Sequence, residues 1–185
     1  MTPDEEALAA VVRALDLLAI PYMVTGAVAS SYHGRPRATH DADIVIDPAP
    51  SQIEPLVNEL TSTGFYVELA TAKDAQRRAQ FNAIETQNAC KIDFIVRKDR
   101  PFSREELSRR QKVDLEAAAV VAMATPEDTI LSKLEWAQKG GGSEKQLGDA
   151  SGVLELNPGL DRAYVERWAA QLGVSDLWRD IATRR

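Results

Sequence analysis

The opening segment of the chain has apolar residues at helical spacing. They recur every three to four positions: Leu8, Val11, Val12, Leu15 and Leu18. This pattern predicts a helix with one buried face. Thr2 can cap the helix and Pro3 suits its first position, so we predict a helix from Pro3 to about Ala19.

Short runs of apolar and β-branched residues then predict strands. They span residues 22–25, 41–47, 64–69, 81–86 and 90–96, and the last two are joined by a short polar turn. Ser51 and Glu54 have the spacing of a capping box and predict a helix that ends at about Thr63. The same spacing of Ser103 and Glu106 predicts the start of a short basic helix.

The character of the chain changes after residue 124. Thr125-Pro126-Glu127-Asp128 is a helix-start pattern, and this helix is expected to reach about Lys139 before three glycines interrupt it. Further helices are predicted from Ser143 and around residues 162–172 and 175–183. We therefore predict an α/β (α+β) fold with two parts. Residues 1–124 form a small mixed sheet flanked by helices, and residues 125–185 form a helical C-terminal subdomain.

The composition indicates a cytoplasmic protein that does not enter membranes. Hydrophobic residues make up 44% of the chain and charged residues 27%, as in an ordinary globular domain. No apolar run approaches the roughly 20 residues that span a bilayer, and the first residues are acidic where a signal peptide would be basic. The single cysteine, Cys90, excludes an intramolecular disulfide and suits a reducing compartment.

The net charge of −6 argues against a protein that binds nucleic acid regardless of sequence, because phosphate contacts need concentrated Lys and Arg. One stretch departs from this balance. The basic segment, residues 97–112, contains seven basic and three acidic residues. It is either a surface that faces RNA or the solvated face of an amphipathic helix.

Carboxylates within apolar strands are the main chemical signal. Asp41 and Asp43 flank Ala42, so their side chains project from one face of a strand. Two neighbouring carboxylates repel each other unless a cation neutralises them, and Mg²⁺ prefers oxygen ligands. The alternative is two surface aspartates at the end of a strand.

A third acid, Asp93, lies inside the later apolar strand. An acid in such a strand is costly unless it is paired or bound to a metal. Three carboxylates can hold two metal ions about 4 Å apart, as in many enzymes of phosphate chemistry. The alternative is an edge-strand charge or a salt bridge, for example with Lys91.

A predicted phosphate-binding turn precedes the acid pair. Gly26 ends a strand and opens a helical turn over residues 27–33, where backbone N–H groups and the helix dipole can bind an anion. Arg35 and Arg37 follow in a loop, and guanidinium groups suit bidentate phosphate binding. The alternatives are an ordinary strand-to-helix turn and a solvated basic loop.

These residues together resemble the DNA polymerase β-like nucleotidyltransferase superfamily. Its pattern is a Gly-Gly or Gly-Ser turn, an acid-x-acid pair about a dozen residues later, and a third acid on a further strand. Here Gly26-Ala27 is followed by Asp41-x-Asp43 and later by Asp93. Ala27 departs from the pattern: it keeps its backbone N–H but lacks a hydroxyl that could hold the terminal phosphate.

Residues 24–47, VTGAVASSYHGRPRATHDADIVID, are similar to a small bacterial branch that includes the AbiEii- and MenT-type toxins. The context Gly34-x-x-Arg37-x-Thr39 before the acid pair is typical of that branch. Residues 125–134 and 143–149 also resemble its helical segments. The likeness covers roughly residues 20–155.

The resemblance implies a nucleotidyltransferase fold and an enzyme that transfers a nucleoside monophosphate from a nucleoside triphosphate (NTP) to an acceptor hydroxyl. Asp41, Asp43 and Asp93 would be the catalytic and metal-binding residues, with Mg²⁺ or Mn²⁺ as the cofactor. The implied nucleotide-binding residues are Gly26, Ala27, Arg37, Thr39, Lys133, Lys145 and Asp149. Asp149 would orient both lysines, although the four-residue spacing of Lys145 and Asp149 equally suits a routine surface ion pair.

The resemblance also suggests an acceptor and partners. The acceptor would be the 3′ end of an RNA in a toxin–antitoxin or phage-defence setting, with an antitoxin or toxin protein as a partner. Ala27 and the acidic charge favour another hypothesis, a weak or inactive nucleotide-binding protein that resembles an antitoxin. A third hypothesis is a transferase that modifies a protein or a small molecule.

Overall fold

The computed structural model describes residues 2–39, 41–115 and 120–183. The chain divides into two packing units. The first comprises Met1–Val24 and Thr39–Met123, and the second comprises Thr25–Ala38 and Ala124–Arg185. The chain therefore passes between the units three times, and the last passage lies one residue before the domain boundary predicted from the sequence.

The described residues contain nine α-helices and seven strands. In chain order they are α1 (Pro3–Leu17), β1 (Tyr22–Thr25), α2 (Gly26–His33), β2 (Asp41–Ile46), α3 (Ile53–Ser62), β3 (Phe65–Tyr66), α4 (Leu69–Arg78), β4 (Gln80–Glu85), β5 (Lys91–Val96), α5 (Pro101–Arg109), β6 (Gln111–Asp114), β7 (Val120–Met123), α6 (Pro126–Lys139), α7 (Glu144–Leu156), α8 (Arg162–Leu172) and α9 (Ser175–Thr183). None of these helices is long and apolar enough to cross a membrane.

The seven strands of the first unit form one mixed sheet in the order β3-β4-β5-β2-β1-β7-β6. The pairs β2–β5 and β1–β7 are parallel, whereas β3–β4, β4–β5 and β6–β7 are antiparallel. The predicted mixed sheet is confirmed. Its core combines buried side chains of α1, α3 and the central strands, including Leu15, Leu56, Met23, Ile44 and Phe94.

The helix α1 follows the prediction closely. The Thr2 hydroxyl accepts a hydrogen bond from the Glu5 N–H at 3.3 Å, and the Glu5 carboxylate accepts one from the Thr2 N–H at 2.7 Å. This reciprocal capping box satisfies two of the backbone N–H groups that every helix start leaves without a partner. The predicted apolar face is buried, with Leu8, Val11 and Leu15 each at most 4% exposed.

Two predicted caps are wrong. A 3-10 turn, Pro50–Gln52, precedes α3, and the Gln52 side chain accepts from the Ala49 N–H, so Ser51 does not cap the helix. The helix α5 begins at Pro101, two residues before Ser103, because proline suits the first helical position. In both cases a neighbouring proline moves the start of the helix away from the serine.

The predicted strand over residues 64–69 shrinks to the two residues of β3, and α4 follows directly. The sequence LATAKDAQRR did not indicate this helix because its apolar residues are mostly alanines, and those residues are small. The short strands β6 and β7 were also missed. The Gln-Lys-Val-Asp sequence of β6 has one large apolar residue, which gives little alternating pattern.

The second unit contains α2 and the helices α6–α9. The predicted helix start at Thr125 is confirmed, since the Thr125 hydroxyl accepts from the Asp128 N–H at 3.2 Å. The fully buried Asp128 carboxylate accepts from the Thr125 hydroxyl at 2.8 Å and from the Tyr164 hydroxyl at 2.6 Å. These bonds compensate for the burial of a carboxyl group and join α6 to α8.

Gly34, the glycine of the predicted motif, lies where the chain leaves α2 and approaches α7. A Cβ atom at Gly34 would lie 2.8 Å from the Ser30 carbonyl oxygen and 2.8 Å from the Val153 nitrogen. Both are backbone atoms and cannot turn away as a flexible side chain would. Glycine is therefore required here by close packing within the second unit.

Gly34→Ala is expected to destabilise the protein by about 1–3 kcal/mol or more, because the added methyl group overpacks a site bounded by backbone. The free energy of unfolding in urea measures this effect. Gly148→Ala is the matched control in α7, where a Cβ meets nothing within 4 Å. That change is expected to stabilise the helix by about 0.5–1 kcal/mol. Equal effects of the two substitutions would contradict the packing argument.

Candidate functional site

The register of the parallel pair β2–β5 brings the three predicted acids onto one face of the sheet. Asp43 lies directly beside Asp93, and Asp41 lies beside Lys91. Side chains at paired positions of neighbouring strands share a face, and the strands lie about 4.8 Å apart. We call these four residues, Asp41, Asp43, Lys91 and Asp93, the carboxylate face.

The opposite side of the same strands supplies the core. Ala42 and Ile44 of β2 are at most 7% exposed, and their partners Ile92 and Phe94 are at most 2% exposed. The predicted alternation of charged and apolar positions is therefore present in both strands. Because one side of each strand is buried, a slip by one residue would place carboxylates in the core, and the pairing is strongly specified.

The hairpin between β4 and β5 adds a polar neighbour that the sequence interpretation missed. Asn82 of β4 lies opposite Asp93 and is exposed. The alternation of Gln80-Phe81-Asn82-Ala83, in which Phe81 and Ala83 are buried, contained the signal for this position. Asn82 therefore lies beside the carboxylate face and offers an amide group there.

Lys91 is the cation of the carboxylate face. Its Nζ atom donates to Asp93 Oδ2 at 2.7 Å, and the two side chains are 38% and 30% exposed. The hydrogen bond to Asp93 raises the pKa of Lys91, and the charges of Asp41 and Asp43 raise it further. The salt bridge considered for Asp93 from the sequence is therefore formed, on the same face as the acid pair.

The donor chemistry of this face suits a hard divalent cation, because three carboxylates offer oxygen ligands on neighbouring strands. Among the described residues, no three His, Cys, Asp or Glu side chains converge closely enough to hold an ion. The salt bridge directs one oxygen of Asp93 toward Lys91. Metal binding by Asp41, Asp43 and Asp93 stays a prediction, and Lys91 already engages one oxygen of Asp93.

At the start of β2, the Thr39 hydroxyl donates to the Asp41 carbonyl oxygen at 3.0 Å. This bond lies within the backbone segment that leads into β2. A nucleotide contact for Thr39 stays a prediction.

In the second unit, Gly26 opens α2 with a φ of +64°, in the left-handed region that favours glycine. The Thr25 side chain makes no capping bond to the first turn of α2. The first N–H groups of a helix are the ones that lack partners within it, and they suit an anion. Ala27 lies in this turn and contributes its backbone N–H.

A buried ionic cluster lies between the loop after α2 and the helices α6 and α7. Arg37 donates from Nε and Nη2 to the two carboxylate oxygens of Asp149, each at 3.0 Å. Lys133 donates from Nζ to Asp149 Oδ2 at 2.7 Å, and its side chain is only 6% exposed. Asp149 thus orients two cations of the predicted phosphate-binding set.

For Lys145, the second lysine that Asp149 was expected to orient, the structure differs from the prediction. Lys145 is exposed, and within the described residues the ion pairs of Asp149 go to Arg37 and Lys133. The four-residue spacing on α7 allows a Lys145–Asp149 pair, but the two cations from other elements reach the carboxylate instead. Arg37 as a partner of Asp149 was missed, because no local spacing links residues 112 positions apart.

The basic segment is partly neutralised within the first unit. Arg97 pairs with Asp47 at 2.9 Å and lies 3.6 Å from Asp99, which also pairs with Arg104 at 2.5 Å. These pairs reduce the positive charge that the segment presents. Its role as an RNA-facing surface stays a prediction.

No protein-family model matches the sequence, and no curated protein matches it. Several solved structures do match this chain. ANT(2″)-Ia in complex with adenylyl-2″-tobramycin superposes with a TM-score of 0.61 at 18% identity, covering 92% of this chain and 97% of that one. The solution structure of the antibiotic-resistance factor ANT(2″)-Ia gives 0.55 at 16%, covering 90% and 94%.

An antigenic nucleotidyltransferase-like protein from Paracoccidioides brasiliensis gives a TM-score of 0.57 at 16% identity, covering 98% of this chain and 94% of that one. This chain has the nucleotidyltransferase fold. The fold class predicted from the sequence is confirmed. At these identities the likeness establishes the fold, and the assignment to the AbiEii/MenT branch stays a prediction.

Asp149→Asn is expected to destabilise the protein by about 3–5 kcal/mol, because it removes the carboxylate that pairs with the buried Lys133 and the half-buried Arg37. Urea unfolding measures this loss. Glu155→Gln is the control on the same helix. It removes the pair with Arg35, whose side chains are 72% and 49% exposed, and should change stability by less than about 1 kcal/mol. A small, similar effect of both changes would contradict the buried cluster.

The cluster also predicts a pH dependence. Burial raises the pKa of Asp149, but hydrogen bonds from Arg37 and Lys133 and their charges outweigh it, so its pKa lies below the ordinary value. The stabilisation is therefore complete above the unfolded pKa of about 3.9 and is lost as the pH falls through the lower folded pKa. Between pH 4 and 2, unfolding curves should show a steeper loss for the wild type than for Asp149→Asn, and parallel losses would contradict the prediction.

Proposed function

We propose that this protein is a Mg²⁺-dependent nucleotidyltransferase that moves a nucleoside monophosphate from an NTP to an acceptor hydroxyl. The main support is the register that places Asp43 beside Asp93, on the face that also contains Asp41. This face occurs in a chain with the nucleotidyltransferase fold. The resemblance of residues 24–47 to the AbiEii/MenT branch supports the same activity.

In this proposal Asp41, Asp43 and Asp93 hold the metal through carboxylate oxygens. A bound divalent ion neutralises phosphate charge and polarises the reacting oxygens. Asp93 also accepts the proton of the acceptor hydroxyl. The acceptor oxygen forms a bond to the α-phosphorus, the bond from that phosphorus to the bridging oxygen breaks, and pyrophosphate leaves. Positioning and charge neutralisation supply most of the catalysis in such transfers.

The groups proposed to hold the phosphates are those that the family resemblance assigns to the nucleotide. Gly26 and Ala27 supply backbone N–H groups, and Arg37, Lys133 and Lys145 supply positive charge. Asp149 fixes the direction of Arg37 and Lys133. This preorganisation favours binding because the side chains are already ordered. Thr39 is assigned to the nucleotide by the family resemblance alone.

Two acceptor classes follow from different observations. The branch resemblance favours the 3′ end of an RNA in a toxin–antitoxin or phage-defence setting, with the basic segment as the contacting surface. The net charge of −6 and the pairing of Arg97 and Arg104 favour a small molecule or a protein side chain. The similar ANT(2″)-Ia was solved with adenylyl-2″-tobramycin, an adenylylated small molecule.

The double variant Asp41→Asn, Asp43→Asn is expected to lose transfer about a hundredfold or more, because metal stabilisation of developing charge is worth several kcal/mol. The assay follows label from α-³²P-NTP into RNA, protein and small-molecule acceptors with Mg²⁺. Asp114→Asn is the control, an exposed aspartate on the edge strand β6 of the same sheet. If the double variant keeps full activity, the assignment of Asp41 and Asp43 as catalytic metal ligands is wrong.

Absence of transfer to every acceptor class, together with unaffected growth on expression, would favour a nucleotide-binding or antitoxin-like interaction protein instead. The γ-³²P label provides a further check. It should leave with pyrophosphate and should not appear on the acceptor. Transfer of the γ-label would indicate a kinase and contradict the proposal.

Ala27→Ser is expected to restore a hydroxyl to the turn at the start of α2 and to lower the KM for NTP about tenfold. A hydrogen bond to a charged group is worth about 1.5–3 kcal/mol, which corresponds to at least that factor. Steady-state kinetics with the same labelled NTP measures the change. An unchanged or higher KM would show that Ala27 does not limit binding of the phosphates.

A further inference from the structure

The carboxylate face has an unusual charge arrangement for a metal site, because a lysine lies within it. Lys91 lies beside Asp41 across the strands and is two residues from Asp93 on its own strand. The period of two places Lys91 and Asp93 on the same side of β5. Three carboxylates therefore share one face with one ammonium group.

The ammonium group of Lys91 binds a carboxylate oxygen of Asp93 that a metal would also bind. Its Nζ lies 2.7 Å from Asp93 Oδ2, which is the length of a charge-assisted hydrogen bond. A carboxylate oxygen engaged in this way has less capacity to ligate a cation. The positive charge of Lys91 also repels a divalent ion at short range. Metal binding at Asp93 must therefore displace this salt bridge or proceed against it.

We propose that Lys91 is a built-in counter-cation that competes with the divalent metal for Asp93. In the metal-free protein it balances the carboxylate face and keeps it stable. When a divalent cation binds, the Lys91–Asp93 bond opens and the Asp93 oxygen becomes a ligand. This inference rests on the metal site of the proposed function and adds a residue that tunes its affinity.

The proposal requires that Lys91 act through Asp93 and not as a general surface charge. A suitable reference pair exists in the same unit. Lys73 of α4 pairs with Glu54 of α3 at 2.8 Å, with side chains 52% and 56% exposed. Lys73 lies outside the carboxylate face, so its removal takes away one positive charge and one ion pair without changing the proposed site.

The test measures Mn²⁺ binding by isothermal titration calorimetry in the absence of nucleotide. Lys91→Met should bind Mn²⁺ about tenfold more tightly than the wild type, because a repelling charge and a competitor are removed. Lys91→Arg retains a cation and should stay near the wild-type affinity. Lys73→Met should also stay near it. Equal affinities of Lys91→Met and wild type, or an equal gain in Lys73→Met, would overturn the proposal.

Thermal unfolding gives a second readout. In EDTA, Lys91→Met should melt about 3 °C below the wild type, because the three carboxylates lose their counter-charge. Saturating Mn²⁺ should remove this difference. A deficit that is the same with and without Mn²⁺ would indicate a purely structural role for Lys91 and contradict the proposal.

The wild type provides a measurement that does not depend on the folding of a variant. Reductive methylation followed by mass spectrometry reports how readily each lysine reacts. Mn²⁺ should speed the modification of Lys91, which is released from Asp93, and leave Lys73 unchanged. If Mn²⁺ binds without changing the modification rate of Lys91, Lys91 does not compete with the metal for Asp93.

Failure of this inference can be told apart from failure of the proposed function. If the wild type binds Mn²⁺ and the Lys91 variants bind it equally well, the inference alone fails. If neither the wild type nor Lys91→Met binds Mn²⁺, with or without NTP, the metal site fails as well. The calorimetric titrations decide between these results.

Discussion

The parallel pairing of β2 with β5 determines which charges must share one face of the sheet. Asp43 lies beside Asp93, and Asp41 lies beside Lys91. The apolar partners on the other side of both strands prevent a shift of register, because a shift would move the acids into the core. The three carboxylates therefore share this face in the folded protein, and Lys91 pairs with one of them.

In the second unit, the charge that needs a counter-charge is a buried cation. Lys133 is almost completely buried, and Asp149 forms ion pairs with both Lys133 and Arg37. A buried cation without a carboxylate is costly, so this cluster fixes the conformation of the loop after α2 relative to α6 and α7. The close approach at Gly34 acts on the same loop. Both features order the loop that contains Arg37, one of the proposed phosphate ligands.

The sequence was most informative where a pattern was local. The alternation in β2 and β5 predicted the shared face of the acids, and the capping box at Thr2 predicted the start of α1. Local patterns failed where a neighbour competed, as Pro50 and Gln52 did with Ser51. Contacts distant in sequence, such as Arg37 with Asp149 and Asn82 beside Asp93, had no local signal or only a partial one. The helix α4 was not predicted because its apolar residues are mostly alanines.

In the proposed function, the carboxylate face binds the catalytic metal. Anomalous diffraction from crystals grown with Mn²⁺ and a non-hydrolysable NTP would locate this metal. We expect an anomalous peak about 2 Å from carboxylate oxygens of Asp41, Asp43 and Asp93, with phosphate oxygens as further ligands. A nucleotide bound with its metal elsewhere, and no peak at this face, would contradict the account.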